Sequence, residues 1–327
     1  GRSMRDGAPA WSPDGRQLAF SSQTDGDLHV YVVAADGSET RRISHANPWN
    51  HSPRWSPDAK RLAYCAGTFA DFAPCIVVCH IETGEETAWA GGRTGLLRPV
   101  WVPSLRLLSS LREFDEAKSG SSGMAPLPRN LGEGMLLCIA RIEGKGGQTT
   151  DPFVATQDEL IPIVARHWQP ENYVEWAPEF NADGSMLAIE TNDGGDREVF
   201  AFTKSGAADV SNHRAADWNP VWSPGGRWIA FESFRSGRRG IYRVHAETAR
   251  VLPIVESSDG DSWAPTWSPD GKWIGFVSDR TGDPELYIAD VQGKQERRLT
   301  ERPGPDYAPA WRPPVAFRGD RSAEFQP

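Results

Sequence analysis

The sequence predicts an all-β fold made of one short unit that is repeated around a central axis. A motif of the form Pro-x-Trp-Ser-Pro-Asp-Gly recurs along the 327 residues at intervals close to 44 residues. Each copy is followed by further short apolar runs, which are separated by turns rich in Gly and Asp and show no helical periodicity. Four short strands per repeat of this length are typical of a β-propeller blade.

The motif occurs seven times and sets the period of the repeat. Its first prolines are Pro9, Pro53, Pro99, Pro178, Pro220, Pro265 and Pro309, with spacings of 44, 46, 79, 42, 45 and 44 residues. Within the motif, Pro fixes φ, Asp bonds to the backbone ahead of it, and Gly permits a positive φ. The motif therefore predicts a tight turn from the first strand of each blade into the second.

A large aromatic residue stands two places after each first proline. The series is Trp11, Trp55, Trp101, Phe180, Trp222, Trp267 and Trp311. A ring at one fixed point of every repeat fills the gap between twisted neighbouring sheets, and burying it is worth roughly 4 to 6 kcal/mol before other costs. We therefore predict that these residues form the core.

The number of blades follows less directly from the repeat. Six repeats are complete, whereas the motif at residue 308 is followed only by Pro-Val-Ala-Phe. The sequence predicts a single domain over residues 1–327, built from four-stranded antiparallel blades, with six complete repeats and a partial seventh. Seven positions around the axis are favoured, and a six-bladed ring is the alternative.

The third repeat is longer than the others by 35 residues. Residues 101–111 are interpreted as its first two strands and residues 135–142 as its third strand. This assignment predicts an insertion loop at 112–134 and an extended connection at 157–173 before the fourth repeat. Loops of this length are usually either functional or disordered, and both alternatives are open here.

Charge and composition exclude several classes of function. The 35 Lys and Arg against 44 Asp and Glu give a net charge of −9, which argues against a partner that is a nucleic acid or an anionic membrane. No apolar run is long enough to predict a membrane span. No Gly-x-Ser-x-Gly elbow or phosphate-binding loop is present.

Candidate ligand-binding residues lie in the loops that lead into the innermost strands, at the mouth of the central channel. The polar members are Asp6, Asn50, Glu175, Asp217 and Asp306, and the aromatic members are Trp176, Trp218, Trp263 and Tyr307. Such acids favour Ca²⁺ or the basic groups of a peptide, while the aromatic rings suit a sugar or a protein partner. The alternative is that the acids only cap their loops.

Two further groups of residues flank the same strands. Arg54, Arg98 and Glu179 are candidates for lining the channel. The histidines nearest to the predicted face are His45, His51, His167 and His213. A cluster of these histidines would indicate catalysis, whereas scattered surface histidines are the alternative.

The repeated pattern P-x-W-S-P-D-G-x-x-[IL]-[AG]-F, followed by SDRTGDPELYIADV and RRLT, resembles the β-propeller repeat of the TolB family. The resemblance extends from about residue 8 to residue 313. Repeats of this kind build protein-docking modules, the propellers of prolyl oligopeptidase-like enzymes and some polysaccharide lyases, so the resemblance implies the fold more firmly than the function. It also implies a periplasmic or extracellular location.

These observations lead to one main hypothesis and two alternatives. The main hypothesis is a non-catalytic module that binds a protein or peptide at the channel mouth. One alternative is a metal-assisted polysaccharide lyase that acts on acidic glycans. The oligogalacturonate lyases, however, hold manganese with histidines in one late loop, and the loops SSDGDSWAP and RPGPDYAP contain none. The other alternative is the propeller domain of a larger prolyl oligopeptidase-like enzyme.

Overall fold

The computed structural model describes residues 9–24, 26–68, 74–105, 107–109, 127, 134–144, 147–163, 175–192, 196–203, 206–301 and 303–314. These residues form twenty-four strands, so the predicted all-β class is confirmed. The last sixteen strands form four four-stranded antiparallel sheets, and the first eight form one sheet whose halves are joined by a single parallel pair, Leu28 with Trp49. Divided at that pair, the strands give six successive four-stranded antiparallel units, which are numbered one to six in chain order.

The first three units contain the following strands. Unit one contains β1 Ala10–Trp11, β2 Gln17–Thr24, β3 Asp27–Ala34 and β4 Arg41–Arg42. Unit two contains β5 Trp49–Trp55, β6 Arg61–Gly67, β7 Cys75–His80 and β8 Glu86–Ala88. Unit three contains β9 Leu96–Trp101, β10 Leu136–Gly144, β11 Gly147–Ala155 and β12 Leu160–Pro162. A 3-10 turn at Ala90–Gly92 precedes β9.

The last three units repeat the pattern with less variation. Unit four contains β13 Glu175–Phe180, β14 Leu187–Thr191, β15 Glu198–Thr203 and β16 Gly206–Asp209. Unit five contains β17 Asp217–Trp222, β18 Trp228–Ser233, β19 Gly240–His245 and β20 Val251–Val255. Unit six contains β21 Ser262–Trp267, β22 Trp273–Ser278, β23 Glu285–Asp290 and β24 Glu296–Arg298.

The core lies between neighbouring units, as expected when sheets pack face to face around an axis. Five hydrophobic clusters are present in the described residues, and each joins two successive units. In units two to six the second strand is buried on both faces, as in β18, where Ile229, Ala230 and Phe231 are all buried. This burial explains why these strands read as continuous apolar runs.

The tryptophan series forms a chain of hydrogen bonds between units. Each indole N–H donates to a carbonyl in the preceding motif: Trp55 to Ala10, Trp101 to Arg54, Trp222 to Glu179, Trp267 to Val221 and Trp311 to Thr266. Phe180 occupies the same place without a donor. Five of the aromatic rings, including Phe180, are buried, and Trp11 and Trp311 are half-buried. The predicted core role is confirmed for the five buried rings.

The C-terminal motif lies between units six and one. Trp311 bonds to Thr266 of β21, and Ala310 accepts a hydrogen bond from Trp11 of β1. Residues 303–314 contain no strand, so this position has no four-stranded sheet among the described residues. The six complete repeats are observed as six units, while the favoured count of seven blades stays a prediction.

The third repeat differs from the assignment made on its sequence. Its first strand is β9, which ends at Trp101, and its second strand is β10, so the long insertion separates strands one and two. Residues 105 and 107–109 are helical, and Leu107 and Leu108 pack in the core between units three and four. Their apolar pattern suited a short strand equally well. The predicted connection at 157–173 contains the fourth strand, β12, and its residues 164–173 lie outside the described residues.

Most of the predicted insertion loop at 112–134 lies outside the described residues. Leu127 is an exception, because it packs half-buried against the cluster between units three and four. Gly134 is the other described residue of this loop.

Candidate functional site at the channel mouth

The first strands of units two to six each contain a bulge beside the motif proline. Successive first strands contact one another around the axis. The residue before the motif proline has a positive φ in six copies: Ser52, Arg98, Ala177, Asn219, Ala264 and Ala308. In β17 the pairing with β18 skips from Trp218 to Val221 at this bulge. The bulge bends the strand, so the side chains before it and those after it point in different directions.

The predicted polar residues three places before the proline are mostly directed inward. Asp217 has no exposed surface, and Arg235 Nη2 lies 2.8 Å from its Oδ2. Burial raises the pKa of the Asp217 carboxyl, an effect that Ser233 and Arg235 oppose. Asn50 is also buried, and its side-chain amide donates to the carbonyls of Leu28 and Asn47. These two residues therefore support the loops, as the capping alternative predicts.

The other three polar candidates are placed only in part. Asp306 is half-buried, and its backbone N–H donates to the carbonyl of Pro284 at 2.8 Å. Glu175 begins β13, but its side chain lies outside what the structure describes, and so does all of Asp6.

The predicted aromatic residues, one place further along, are at least partly exposed where the structure describes them. Trp218 and Trp263 are half-buried, and Tyr307 is 48% exposed. Phe234 is 39% exposed and packs against Trp218 with ring centroids 5.3 Å apart. The side chain of Trp176 is outside the described part of the chain. We call Trp218, Phe234, Trp263 and Tyr307 the aromatic face.

Arg239 fixes two members of the aromatic face. Its guanidinium carbon lies 5.3 Å from the ring centroid of Trp218 and 5.6 Å from that of Trp263, within the range of a cation–π contact. Arg239 Nε also donates to Glu232 Oε2 at 2.6 Å. The two indoles are therefore held by a buried ion pair rather than by packing alone.

Glu232 joins units five and six beneath the aromatic face. Its carboxylate is fully buried and accepts hydrogen bonds from Asn219 Nδ2 at 2.8 Å and from the backbone N–H of Ala264 at 2.7 Å. Because every partner is a donor, the buried charge is well compensated.

Glu190 repeats this arrangement between units four and five. It accepts a hydrogen bond from the backbone N–H of Asn219 at 3.1 Å and forms an ion pair with Arg197 at 3.1 Å. Burial raises the pKa of Glu190, while the Asn219 N–H, Arg197 and Arg98 oppose that rise.

The three predicted channel-lining residues differ in their charge balance. Glu179 is half-buried, and burial raises its pKa, against which Arg54 acts. Arg54 and Arg98 are exposed, and neither guanidinium has an ion pair or hydrogen bond within the described part of the chain. The charge of Arg54 opposes the rise in the pKa of Glu179, and the charge of Arg98 opposes the rise in the pKa of Glu190.

The histidines do not gather into a site among the described residues. His45 and His213 are exposed, whereas His51 is buried against Trp49 with ring centroids 4.5 Å apart. His167 lies outside the described residues. Within the described ranges, no group of three or more His, Cys, Asp or Glu side chains is arranged to hold a metal ion.

Four residues of this region were not predicted from the sequence: Arg239, Glu232, Glu190 and Phe234. Glu190 and Glu232 had a detectable signal, because they stand at the same place in the second strands LAIE and IAFE. Arg239 lies just before β19, outside the repeated motif, and nothing in the pattern marked it. Phe234 follows β18 directly, where the other repeats have no aromatic residue.

Comparisons with known proteins agree with this architecture. A family model described as the PD40 TolB beta propeller domain matches residues 3–103. A protein TolB homolog of Chlorobium chlorochromatii is 26% identical over 132 residues, which are 40% of this chain and 29% of that protein. An uncharacterized peptidase, YuxL of Bacillus subtilis, is 23% identical over 227 residues, which are 69% of this chain and 21% of that protein. The chain thus spans less than a third of these relatives.

A solved structure extends the similarity over nearly the whole chain. The crystal structure of TolB from Acinetobacter baumannii matches 93% of this chain and 68% of that chain, with a TM-score of 0.59 and 17% identity. No helix in the described part of the chain has both the length and the apolar character of a membrane span. The chain is therefore a β-propeller whose repeats are similar to those of the TolB family, with the PD40 model matching its first two repeats.

Proposed function

We propose that the chain is a binding module that holds a segment of a partner protein against the aromatic face. The observation that carries this proposal is the pair of indoles, Trp218 and Trp263, fixed by Arg239, with the exposed ring of Phe234 packed against Trp218. Tyr307 holds the equivalent place in the next repeat and is also exposed. Trp and Tyr side chains of this kind dominate the energetics of protein interfaces.

Immobilisation of the indoles favours binding in a specific way. A side chain that is already ordered loses little conformational entropy when a partner docks, so more of the contact energy appears as affinity. Arg239 supplies that order because its guanidinium is fixed by Glu232. The aromatic face is therefore organised before any partner arrives.

The proposal keeps most of the sequence-predicted residues in a ligand-facing role. Trp218, Trp263 and Tyr307 would contact the partner directly, with Asp306 beside Tyr307 in the chain. Asp6, Glu175 and Trp176 stay candidates from the sequence alone. Asn50 and Asp217 would support the loops without contacting the partner, since both are buried. We also propose a location outside the cytoplasm, in line with the family resemblance, which cell fractionation would test.

Selection from a random library of 12-residue peptides displayed on phage tests the proposal. Wild-type protein should enrich a set of peptides that the variant W218A/Y307A does not bind. Leu299→Ala is the matched control, because it removes an exposed apolar side chain just after β24. Enrichment that is equal on all three proteins, or absent on the wild type, would overturn the proposal.

A second candidate function is the propeller domain of a larger peptidase. It is favoured by the match to YuxL, which covers 69% of this chain but only 21% of that protein. Immunoblots of the source cells with an antibody against this chain would test it. A band far above 36.0 kDa, together with peptide hydrolysis by the purified native protein, would support the peptidase.

A further inference from the structure

The register of the strands shows how the protein itself places carboxylates around the channel. Glu190 pairs with Trp176 and Glu232 pairs with Trp218, so the two glutamates hold equivalent places in units four and five. Each accepts a hydrogen bond from the bulge N–H of the following unit, at Asn219 and at Ala264. On this side of the ring, internal carboxylates neutralise the nearby arginines.

Unit two lacks such a carboxylate. The residue equivalent to Glu190 and Glu232 is Cys65, because it pairs with His51 in the same register. The bulge residue that follows in unit three is Arg98. The guanidinium of Arg98 is exposed, and so is that of Arg54 on the neighbouring first strand. We call these two residues the arginine pair.

Near the arginine pair, the described residues leave a local positive excess. Two carboxylates, Glu190 and Glu232, are each in an ion pair with an arginine, Arg197 and Arg239. Among the described residues predicted to line the channel, Glu179 is the one carboxylate beside these two arginines, and Arg54 opposes the rise of its pKa. The excess stands out in a chain whose net charge is −9.

We infer that the segment bound at the aromatic face carries an acidic side chain, and that its carboxylate binds the arginine pair across the channel. The inference rests on the proposed function and specifies its partner. Arginine is suited to this role because its guanidinium binds a carboxylate through two parallel hydrogen bonds. From the sequence alone, the acids at the channel mouth were expected to bind basic groups of a partner. One of these acids, Asp217, is instead buried and paired with Arg235.

The test repeats the phage selection on wild-type protein, on R54Q/R98Q and on the control Arg250→Gln. Arg250 is exposed on the outer part of unit five, so its substitution removes one positive charge away from the channel. Wild type and the control should enrich peptides with Asp or Glu at a fixed place, and R54Q/R98Q should not. Thermal unfolding of each variant verifies that it is folded.

The most enriched peptide is then synthesised with its acidic residue and with the corresponding amide. We expect the amide to bind wild-type protein about tenfold more weakly, and R54Q/R98Q to bind both peptides equally, since the two changes remove one interaction. Enriched peptides that lack an acidic residue, or that bind R54Q/R98Q as tightly as wild type, would overturn the inference and leave the proposed function intact. If no peptide depends on Trp218, the proposed function fails and the inference fails with it.

Discussion

Trp11 donates its indole N–H to the carbonyl oxygen of Ala310 at 3.3 Å, which joins two motifs that are 299 residues apart. Arg312 strengthens the same junction, because its Nε donates to the carbonyl of Gly15 at 2.8 Å. Trp311 completes it by bonding to Thr266 at 3.2 Å. The C-terminal motif therefore connects unit six to unit one, and the stability of the ring depends on both ends of the described chain.

Removing one of these indole donors should weaken the ring. Trp11→Phe and Trp311→Phe keep an aromatic ring in place, as Phe180 does naturally, but leave a carbonyl without its donor. We expect each to lower the free energy of unfolding by about 1 kcal/mol, measured by urea denaturation. Trp273→Phe is the control, since this half-buried indole has no place in the hydrogen-bonded series. Equal losses in all three variants would contradict the role of the junction.

The fold was predictable because every repeat contains the same local information. The Ser-Pro-Asp-Gly turn illustrates this: Ser12 Oγ donates to Asp14 Oδ1 at 2.6 Å, and Gly15 has a φ of 66°. These contacts involve neighbours in sequence, so the residue types alone specify them. The tryptophan series was predictable for the same reason, because its rings pack in equivalent surroundings in successive units.

The site was predictable only in part, because it depends on strand orientation and on residues outside the motif. Asp217 and Trp218 are adjacent, yet one is buried and the other contributes to the aromatic face, since successive side chains in a strand point to opposite sides. The sequence did not show which of the two faced the mouth. Arg239 contacts both indoles from the connection between β18 and β19, and no local sequence pattern predicts such a contact.

The buried carboxylate of Glu232 should be important for stability. Glu232→Ala leaves Arg239, Asn219 and the N–H of Ala264 without their common acceptor. We expect a loss of about 3 to 5 kcal/mol in the free energy of unfolding, because uncompensated buried charges are costly. Glu296→Ala breaks the more exposed ion pair with Arg280 and should cost at most about 1 kcal/mol. Chemical denaturation of both variants checks the difference, and similar losses would refute it.

Glu198 should make the protein less stable as the pH rises. Its carboxyl is buried at the start of β15, and burial raises its pKa to about 7, although Ser211 Oγ donates to it at 2.6 Å. The folded state therefore holds the proton more tightly than the unfolded chain, where the pKa of Glu is about 4.3. Stability should fall as the pH rises through the window between these two values.

Glu198→Gln tests this dependence, because the amide oxygen still accepts the bond from Ser211. At pH 8 the variant should be more stable than wild type by about 1 to 3 kcal/mol, and below pH 4.5 the two should be similar. Glu285 begins β23 at the equivalent place, but Thr300 and Arg298 hold its pKa below the usual range. Glu285→Gln should therefore destabilise the protein at neutral pH. Urea denaturation at several pH values checks both signs, and a Glu198→Gln curve parallel to wild type would disprove the assignment.

The loop next to the aromatic face should tolerate no side chain at position 260. A Cβ on Gly260 would lie 2.5 Å from Arg280 Cα and 2.6 Å from its backbone nitrogen, so one of the two segments has to move. The adjacent Asp261 accepts a hydrogen bond from the backbone N–H of Arg239, and its own N–H donates to Asp279. Gly260→Ala should therefore destabilise the protein by about 2 kcal/mol and weaken peptide binding at Trp218 and Trp263 as well.

Gly225→Ala provides the matched control for this substitution. Gly225 is exposed in the turn after β17, and a Cβ there would meet no atom within 4 Å. The equivalent residue is aspartate in several other repeats, including Asp14 and Asp270, which shows that the turn accepts a side chain. We expect its free energy of unfolding to stay within about 0.5 kcal/mol of wild type. If both alanine variants unfold and bind the selected peptides as wild type does, the contact between Gly260 and Arg280 does not position the aromatic face.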